Sequence, residues 1–445
     1  MRVIDLILAA VLLPLSMLIF AALWLRGHLR WRGHAAPRMM QIISSTLEKE
    51  LQRGFQGRIL RTDFGYFDHV WHLHSFADAR RDVSLGDRHT AVEFTVPVSD
   101  RLKAWGLGWT SRVWYAWALS AAVIELICRE QIAVIDTADA FLTGAQAWLF
   151  AWLTGIPYAI EIHRAYHDDY ASFGQPIFGL FKSGALERIV GRFVIRRAAR
   201  VIVDRAYYWE AAKRLGAVPE QAIRTRLVAD PVFYDASEPA ADVRRQLGLP
   251  ATQPLVLFVG RLSYEKFPDD VVRATSVVAR NFPEAVVVMA GDGPMRRDLE
   301  QLAQNLGLQT RVRFLGVVLQ PALRFLMREA AVLVCPNTGL AMLEAALCGC
   351  PLVAYDSDWH PEVIASPQEG VLVRHRDHQA LGQAVCEMLR HPERAKQMAA
   401  RLRDRLMREH APERFQQDMR AGFQELLGVP AADASASLDL TPVGT

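Results

Sequence analysis

The second half of the chain alternates short apolar runs with helix-length segments, and this alternation restricts its folds more than any other feature. Strand-like runs fall at 255–259, 285–290, 311–315, 331–335 and 351–354, with helix-length segments between most of them. Apolar runs without polar alternation suit strands covered on both faces, and strands interleaved with helices argue for a parallel sheet. From about residue 56 the first half shows the same pattern less clearly. There, 132–135, 157–162 and 201–203 read as strands, and 141–153, 187–199 and 206–215 as helices. Two such units predict an α/β protein with two Rossmann-like domains facing a cleft. Helical segments at 377–390, 393–409 and 412–427 close the pattern, and 429–445, rich in Ala, Ser, Pro and Asp, reads as a disordered tail.

The N-terminus is of a different kind. Residues 6–25 carry no charge and are interrupted only by Pro14 and Ser16. As a helix this stretch extends about 30 Å, enough to cross a bilayer core. It is long for a cleaved signal peptide, and no small-residue cleavage site follows. Arg26, Arg30 and Arg32 come after it and Arg2 alone before it, so the positive-inside bias places the body on the cytoplasmic face of the cell membrane. A re-entrant anchor is the second reading. The opening Arg2-Val3-Ile4-Asp5, the apolar run and Pro14 resemble the membrane segment of monotopic polyprenyl-phosphate sugar-phosphate transferases, in which Pro breaks the helix. Spanning is the preferred reading. A membrane anchor at 1–30 is then followed by a juxtamembrane linker at 31–55, with a short helix at 41–52.

Composition excludes several classes. A net charge of +3 is too small to argue for nucleic acid. The five cysteines form no C-x-x-C pair, and no Cys/His cluster has zinc spacing, so no metal site is expected. Buried free thiols in a reducing compartment are the simpler reading.

Chemistry concentrates at strand ends in the second half. The run at 255–259 leads into Gly260-Arg261-Leu262-Ser263-Tyr264-Glu265-Lys266, where Gly260 admits a ligand to the backbone and two cations suit a departing diphosphate. Taken alone, two basic loop residues are more often a solvated surface. Gly291-Asp292-Gly293-Pro294 is a tight turn, equally readable as a nucleotide contact or as plain structure. In Cys335-Pro336-Asn337-Thr338-Gly339-Leu340-Ala341-Met342-Leu343-Glu344, Gly339 opens a helix whose free N–H groups suit a phosphate. Glu344 follows about one and a half turns later, placed to accept from ribose hydroxyls. Asp358-Trp359-His360-Pro361-Glu362 reads either as pocket lining or as a turn before a helix.

The order and spacing of V-G-R-L-x-x-E-K at 259–266, G-D-G-P at 291–294, R-V-R-F-L-G at 311–316 and T-G-L-A-M-L-E-A-A-L-C-G-C-P-L-V-A at 338–354 resemble the family 4 retaining glycosyltransferases of GT-B fold. Gly155-Ile156-Pro157 with Glu161-Ile162-His163, and Leu186-Glu187-Arg188 through Ile202, resemble that family's acceptor-side domain more loosely. The resemblance implies an acceptor domain at 56–240, a nucleotide-sugar domain at 241–410 and a closing helix at 411–428. It implies that Arg261 and Lys266 hold the donor diphosphate, with Gly260 and Gly291 alongside. It further implies that Gly339, Leu340 and Ala341 meet phosphate and sugar through their backbone, that Glu344 binds ribose, and that His163 acts near the donor sugar. A lone His after a strand would otherwise read as a core hydrogen-bonder. One departure concerns the family's E-x7-E pattern: the second Glu is Glu344, and Pro336 stands where the first belongs.

The acceptor is expected to be lipid-linked. Residues 101–118 mix Trp with basic residues, which suits either a membrane interface or helix packing. The aromatic, Gly-punctuated stretch at 170–184 lies in the acceptor domain. Arg188, Arg192, Arg196 and Arg200 recur every four residues, as a solvated stripe or a headgroup-facing one. The expected activity is transfer from a nucleoside-diphosphate sugar, without a cofactor, in polysaccharide or glycolipid assembly. The alternative is a catalytically silent, nucleotide-sugar-binding membrane scaffold.

Overall fold

The computed structural model describes residues 2–30, 37–52, 59–75, 77, 80–96, 101, 104–163, 184–229, 233–234, 243–246, 248–249, 252–319, 322–337 and 339–428. Most of the 170–184 loop, the polar stretch at 235–241, residues 31–36 and 53–55 of the 31–55 linker, Thr338 and the 429–445 tail lie outside the described residues. The chain divides into two compact units. One comprises Met1–Asp204, Tyr208–Thr225 and Gln416–Thr445, the other Arg205–Tyr207 and Arg226–Phe415.

The first unit is built on eight strands: β1 Arg38–Ile43, β2 His69–His74, β3 Arg81–Gly86, β4 His89–Glu93, β5 Val134–Thr137, β6 Tyr158–Ile162, β7 Arg200–Val203 and β8 Ala222–Arg224. Their order is β3-β4-β2-β1-β5-β6-β7-β8, parallel throughout except for β3, which runs antiparallel to β4 at the edge. β1 lies between β2 and β5, with Met39, Met40 and Ile42 buried. This corrects the expected helix at 41–52, of which only Leu47–Gln52 is helical, and carries the sheet back from residue 56 to 38. Met and Gln favour helices in isolation, but burial between two strands overrides so weak a preference. The helix expected at 187–199 is Gly184–Ile195, so Arg196 follows it and Arg200 opens β7. The basic stripe on the helix is thereby reduced to Arg188 and Arg192.

The N-terminal helix, Arg2–Arg30, is continuous with Pro14 inside it, which corrects the break that a re-entrant anchor requires. It docks along the helix Gly108–Glu130. Leu107, at the cap position of that second helix, provides no side-chain cap. The Asp5 carboxylate does so instead, accepting the backbone N–H groups of Trp109 at 2.8 Å and Thr110 at 2.9 Å. Further along, Trp117 donates its indole N–H to Ser16 Oγ at 3.1 Å, and Glu125 pairs with Arg26 and Arg30. The contacts ascend together along both helices, so the pair is parallel. Leu23 packs with Ile124, Cys128 and Leu153. Among the described residues one helix, Gly108–Glu130, is long and apolar enough to cross a membrane, with half of its most apolar window buried.

The second unit has six parallel strands: β9 Leu255–Val259, β10 Val286–Ala290, β11 Val312–Gly316, β12 Val332–Cys335, β13 Leu352–Asp356 and β14 Val371–Arg374. Their order β11-β10-β9-β12-β13-β14 reverses direction between β9 and β12, the point at which open α/β sheets bind ligands. Helices Pro268–Asn281 and His378–Arg390 supply Val271, Val278, Leu381 and Val385 to a core with Val256, Val287, Val334 and Val353.

A Cβ at Gly27 would fall 2.3 Å from the Leu153 carbonyl oxygen, so the N-terminal helix reaches helix Leu142–Thr154 only because this residue has no side chain. Gly27→Ala is expected to destabilise the first unit by roughly 1–3 kcal/mol in urea unfolding.

Candidate functional site

The carboxyl ends of β9 and β12 bring together most of the residues singled out in the sequence. After β9 the chain passes through Gly260 and the exposed Arg261 into a short 3-10 turn, Tyr264–Lys266, with Lys266 half-buried. After β12 it runs through the buried Pro336 and the half-buried Asn337 to Gly339, then into the helix Ala341–Leu347, which carries the half-buried Glu344. Asn337 donates its side-chain N–H to the Glu265 carbonyl at 2.8 Å, tying one loop to the other. The helix has only seven residues. Its dipole is correspondingly small, and the cations nearest in sequence to this edge are Arg261 and Lys266, on the loop after β9. Around Gly339 the protein leaves open space, with nothing within 4 Å of where a Cβ would stand. Leu340 occupies the cap position of the helix and Ala341 its first turn.

The Gly-Asp-Gly-Pro turn is a structural bracket for the first loop. Gly291 has φ +150°, and a Cβ there would lie 1.9 Å from the Gly260 carbonyl oxygen. Leu262 N–H donates to the Asp292 carbonyl at 3.0 Å, and Met295 N–H returns a bond to the Leu262 carbonyl at 2.9 Å. These bonds hold the backbone ahead of Lys266 in place.

A second brace was missed in the sequence because its members are spread over 107 positions. Tyr355, at the end of β13, donates its hydroxyl to Asp270 at 2.8 Å, and Arg376, just past β14, pairs with the same carboxylate at 2.9 Å. Burial pushes the Asp270 carboxyl above its usual range, against the pull of Tyr355 and Arg376. The Arg376 guanidinium also lies 4.4 Å over the Phe267 ring. Phe267 directly follows Lys266, so the cluster anchors the outgoing end of the cation loop. β14, with Val371 and Val373 packed on the core, was also unrecognised. Trp359 and His360 are buried, and His360 Nδ1 meets the Tyr355 carbonyl at 2.9 Å, which places 358–362 as structure. A groove of about 430 Å³ lined by Val371, Glu387, His391 and Arg394 adjoins the start of β14, on the opposite sheet edge. Among the described residues, no group of three His, Cys, Asp or Glu side chains is placed to hold a metal ion.

His163 stands apart from these residues in sequence and belongs to the first unit, immediately after β6. Its Nε2 lies 2.6 Å from Glu161 Oε2, and its Nδ1 lies 4.0 Å from Asp204 Oδ2. Glu161 in turn faces Asp136 on β5, a fully buried carboxyl pushed well above the usual range by burial and by the charge of Glu161. Sequence reading missed Asp136, Gln41 and His72 because they lie on strands that only sheet pairing brings side by side.

With that geometry described, likeness to known proteins becomes informative. Residues 240–405 match the family described as glycosyl transferases group 1. The alpha-D-kanosaminyltransferase of Streptomyces kanamyceticus is 28% identical over 58% of this chain and 68% of its own length. The 2-deoxystreptamine N-acetyl-D-glucosaminyltransferase of Streptomyces fradiae is 29% identical over 55% of this chain, which spans 60% of that relative. Among solved structures, Anabaena Alr3699/HepE in complex with UDP superposes with a TM-score of 0.67 at 17% identity, over 87% of this chain and 100% of that one. The fold is therefore GT-B-like, with two Rossmann-like domains, and its second domain carries the group 1 glycosyl transferase signature. The enzyme class these findings support is glycosyltransferase.

Two outcomes test this geometry. Gly291→Ala forces the Gly260 loop to move, and is expected to cost at least about 2 kcal/mol in denaturant unfolding. Burial and the neighbouring Glu161 raise the Asp136 carboxyl on folding, so just above the ordinary carboxylate value of 3.8 the folded chain binds the proton more tightly than the unfolded chain. Its contribution is thus fully present below that value and is lost as pH rises towards the elevated folded value. Urea midpoints measured across that range are expected to fall for the wild type and to flatten in Asp136→Asn.

Proposed function

We propose that this enzyme is a family 4 retaining glycosyltransferase that moves a sugar from a nucleoside-diphosphate donor to a lipid-linked acceptor at the cytoplasmic face of a membrane. The observation that carries the reading is that the loop bearing Arg261 and Lys266 and the stretch from Gly339 to Glu344 both leave the sheet at the strand-order reversal between β9 and β12, tied by the Asn337–Glu265 bond. The similar Anabaena protein was solved with UDP, which supports a nucleotide donor. In this reading Arg261 and Lys266 take up the charge that grows on the diphosphate as the bond from the sugar C1 to the phosphate oxygen breaks. The acceptor hydroxyl oxygen forms the new bond to C1, on the face the diphosphate leaves, and passes its proton to the departing phosphate oxygen. Glu344 holds the ribose hydroxyls, and His163 is assigned a hydrogen bond to a sugar hydroxyl or to the developing charge.

The membrane part of the reading rests on the surface of the first unit. Trp105, Trp109 and Trp114 are exposed, and Arg112 lies 4.9 Å over the Trp109 ring. The docked N-terminal helix exposes Met17, Leu18, Leu25 and Leu29. Helix Leu142–Thr154 adds Trp152, and Trp148 meets Phe193 of helix Gly184–Ile195 with ring centroids 4.7 Å apart. That last helix exposes Ile189 beside Arg188 and Arg192. Aromatic and apolar side chains interleaved with Arg suit an anionic lipid interface. A helix docked by its polar contacts fits lying on the bilayer better than crossing it.

One observation favours the silent scaffold instead: the position of the missing first Glu is filled by the buried Pro336. Detergent-purified protein supplied with UDP-, GDP- and dTDP-sugars and native lipid extract separates the two. Lipid-dependent release of one nucleoside diphosphate is expected, with kcat/KM falling about 100-fold or more in Arg261→Ala and Glu344→Ala. Donor binding without turnover would transfer the case to the scaffold. Co-sedimentation with phosphatidylglycerol vesicles is expected to weaken in Trp109→Ala and Leu18→Glu, and to exceed that with phosphatidylcholine.

A further inference from the structure

We propose that Glu161 is the positioning residue of His163, gripping its imidazole by the Nε2–H, and that Asp136 holds Glu161 from behind as a neutral carboxylic acid. The inference rests on reading His163 as a group that touches substrate, and supplies what that reading leaves open: how an exposed ring is held in one orientation. The geometry comes from six strands. Glu161 sits on β6 next to His163, Asp136 on β5, Gln41 on β1, His72 on β2 and His89 on β4, with Asp204 just past β7.

The hydrogen bonds among them have one consistent polarity. Gln41 donates its Nε2–H to Asp136 Oδ2 at 3.1 Å, which leaves its Oε1 to accept from His72 Nδ1 at 3.2 Å. His72 must then accept at Nε2, where His89 Nδ1 lies 3.1 Å away. His72 is thereby a donor at Nδ1 and an acceptor at Nε2, in keeping with burial pulling the pKa values of both rings below the usual imidazole range. Asp136 Oδ1 is buried and has no donor aimed at it, while its neighbour is a second carboxyl. Two carboxyls packed together at this depth do not both ionise. A proton on Asp136 removes both difficulties, because the acid O–H then donates to Glu161. Glu161 is left as the carboxylate on which two donors converge, the Asp136 hydroxyl and His163 Nε2–H at 2.6 Å. Asp204, at 4.0 Å from Nδ1, faces the other edge of the ring.

Asparagine imitates a protonated aspartic acid, since its amide donates where the acid O–H donates and its carbonyl accepts from Gln41. That equivalence supplies the test. Full-length protein in detergent, labelled with 15N-histidine and assigned with His163→Gln, reports which ring nitrogen of His163 carries the proton. The wild type is expected to show a hydrogen-bonded Nε2–H. Glu161→Ala is expected to lose that signature, with kcat at least tenfold lower and donor KM within about twofold. Asp136→Asn is expected to keep the signature and kcat, and Asp136→Leu to lose both. The proposal is overturned if Glu161→Ala leaves the 15N pattern intact, or if Asp136→Asn loses it as fully as Asp136→Leu. Should the wild type turn over no donor, the 15N arms still decide the positioning role, and the failure belongs to the functional reading alone.

Discussion

The pairing of β9 with β12 is the constraint on which the second unit depends. Val256 and Leu257 lie in register with Val332 and Leu333, and the chain reaches this seam from two directions. Parallel strands cannot be joined by a tight hairpin, so each must be followed by a crossover that leaves the sheet at its carboxyl edge. Where strand order reverses, the two departing loops diverge to opposite faces and leave a crevice. Neither loop is held there by its own sequence. Gly291 and Asn337 lock the first to its neighbours, and Tyr355, Asp270 and Arg376 anchor its exit. The apolar ladder places the site, and a few polar contacts set its shape.

What was legible in the sequence follows from how local each signal was. Strands buried on both faces announce themselves as apolar runs, and β9 through β13 were read within a residue or two at each end. β1 was misread because Arg-Met-Met-Gln-Ile-Ile carries residues that favour helices, and only its place between two strands makes it extended. β2 escaped notice because His69, His72 and His74 break its apolar pattern. Those histidines are tolerated in the sheet because each has at least one ring nitrogen met by a polar partner, Thr90 for His69, Gln41 and His89 for His72, and the Ser45 carbonyl for His74.

The site divides along the same line. Arg261, Lys266, Gly339 and Glu344 lie within two short stretches that follow strands, so motif and spacing were enough to single them out as candidates. The polar line from His89 to Glu161 crosses five neighbouring strands whose sequence order differs from their spatial order. No spacing rule reaches it, since adjacency there is a property of the assembled sheet. The N-terminal segment is the reverse case. Its apolar length was plain, but its use was not, because Asp5, Ser16 and Arg26 acquire meaning only when their partners on Gly108–Glu130 are known.

That last pairing has a consequence for how the chain is made. Asp5 caps a helix whose first turn lies 105 positions downstream. At ordinary rates of bacterial or eukaryotic synthesis, roughly 5–20 residues per second, the apolar N-terminal helix leaves the ribosome about 5–20 seconds before its partner exists. Throughout that interval it has no protein surface to cover it. The order of synthesis therefore leaves the Asp5 carboxylate waiting for the N–H groups it caps until most of the first sheet's leading strands have already been made.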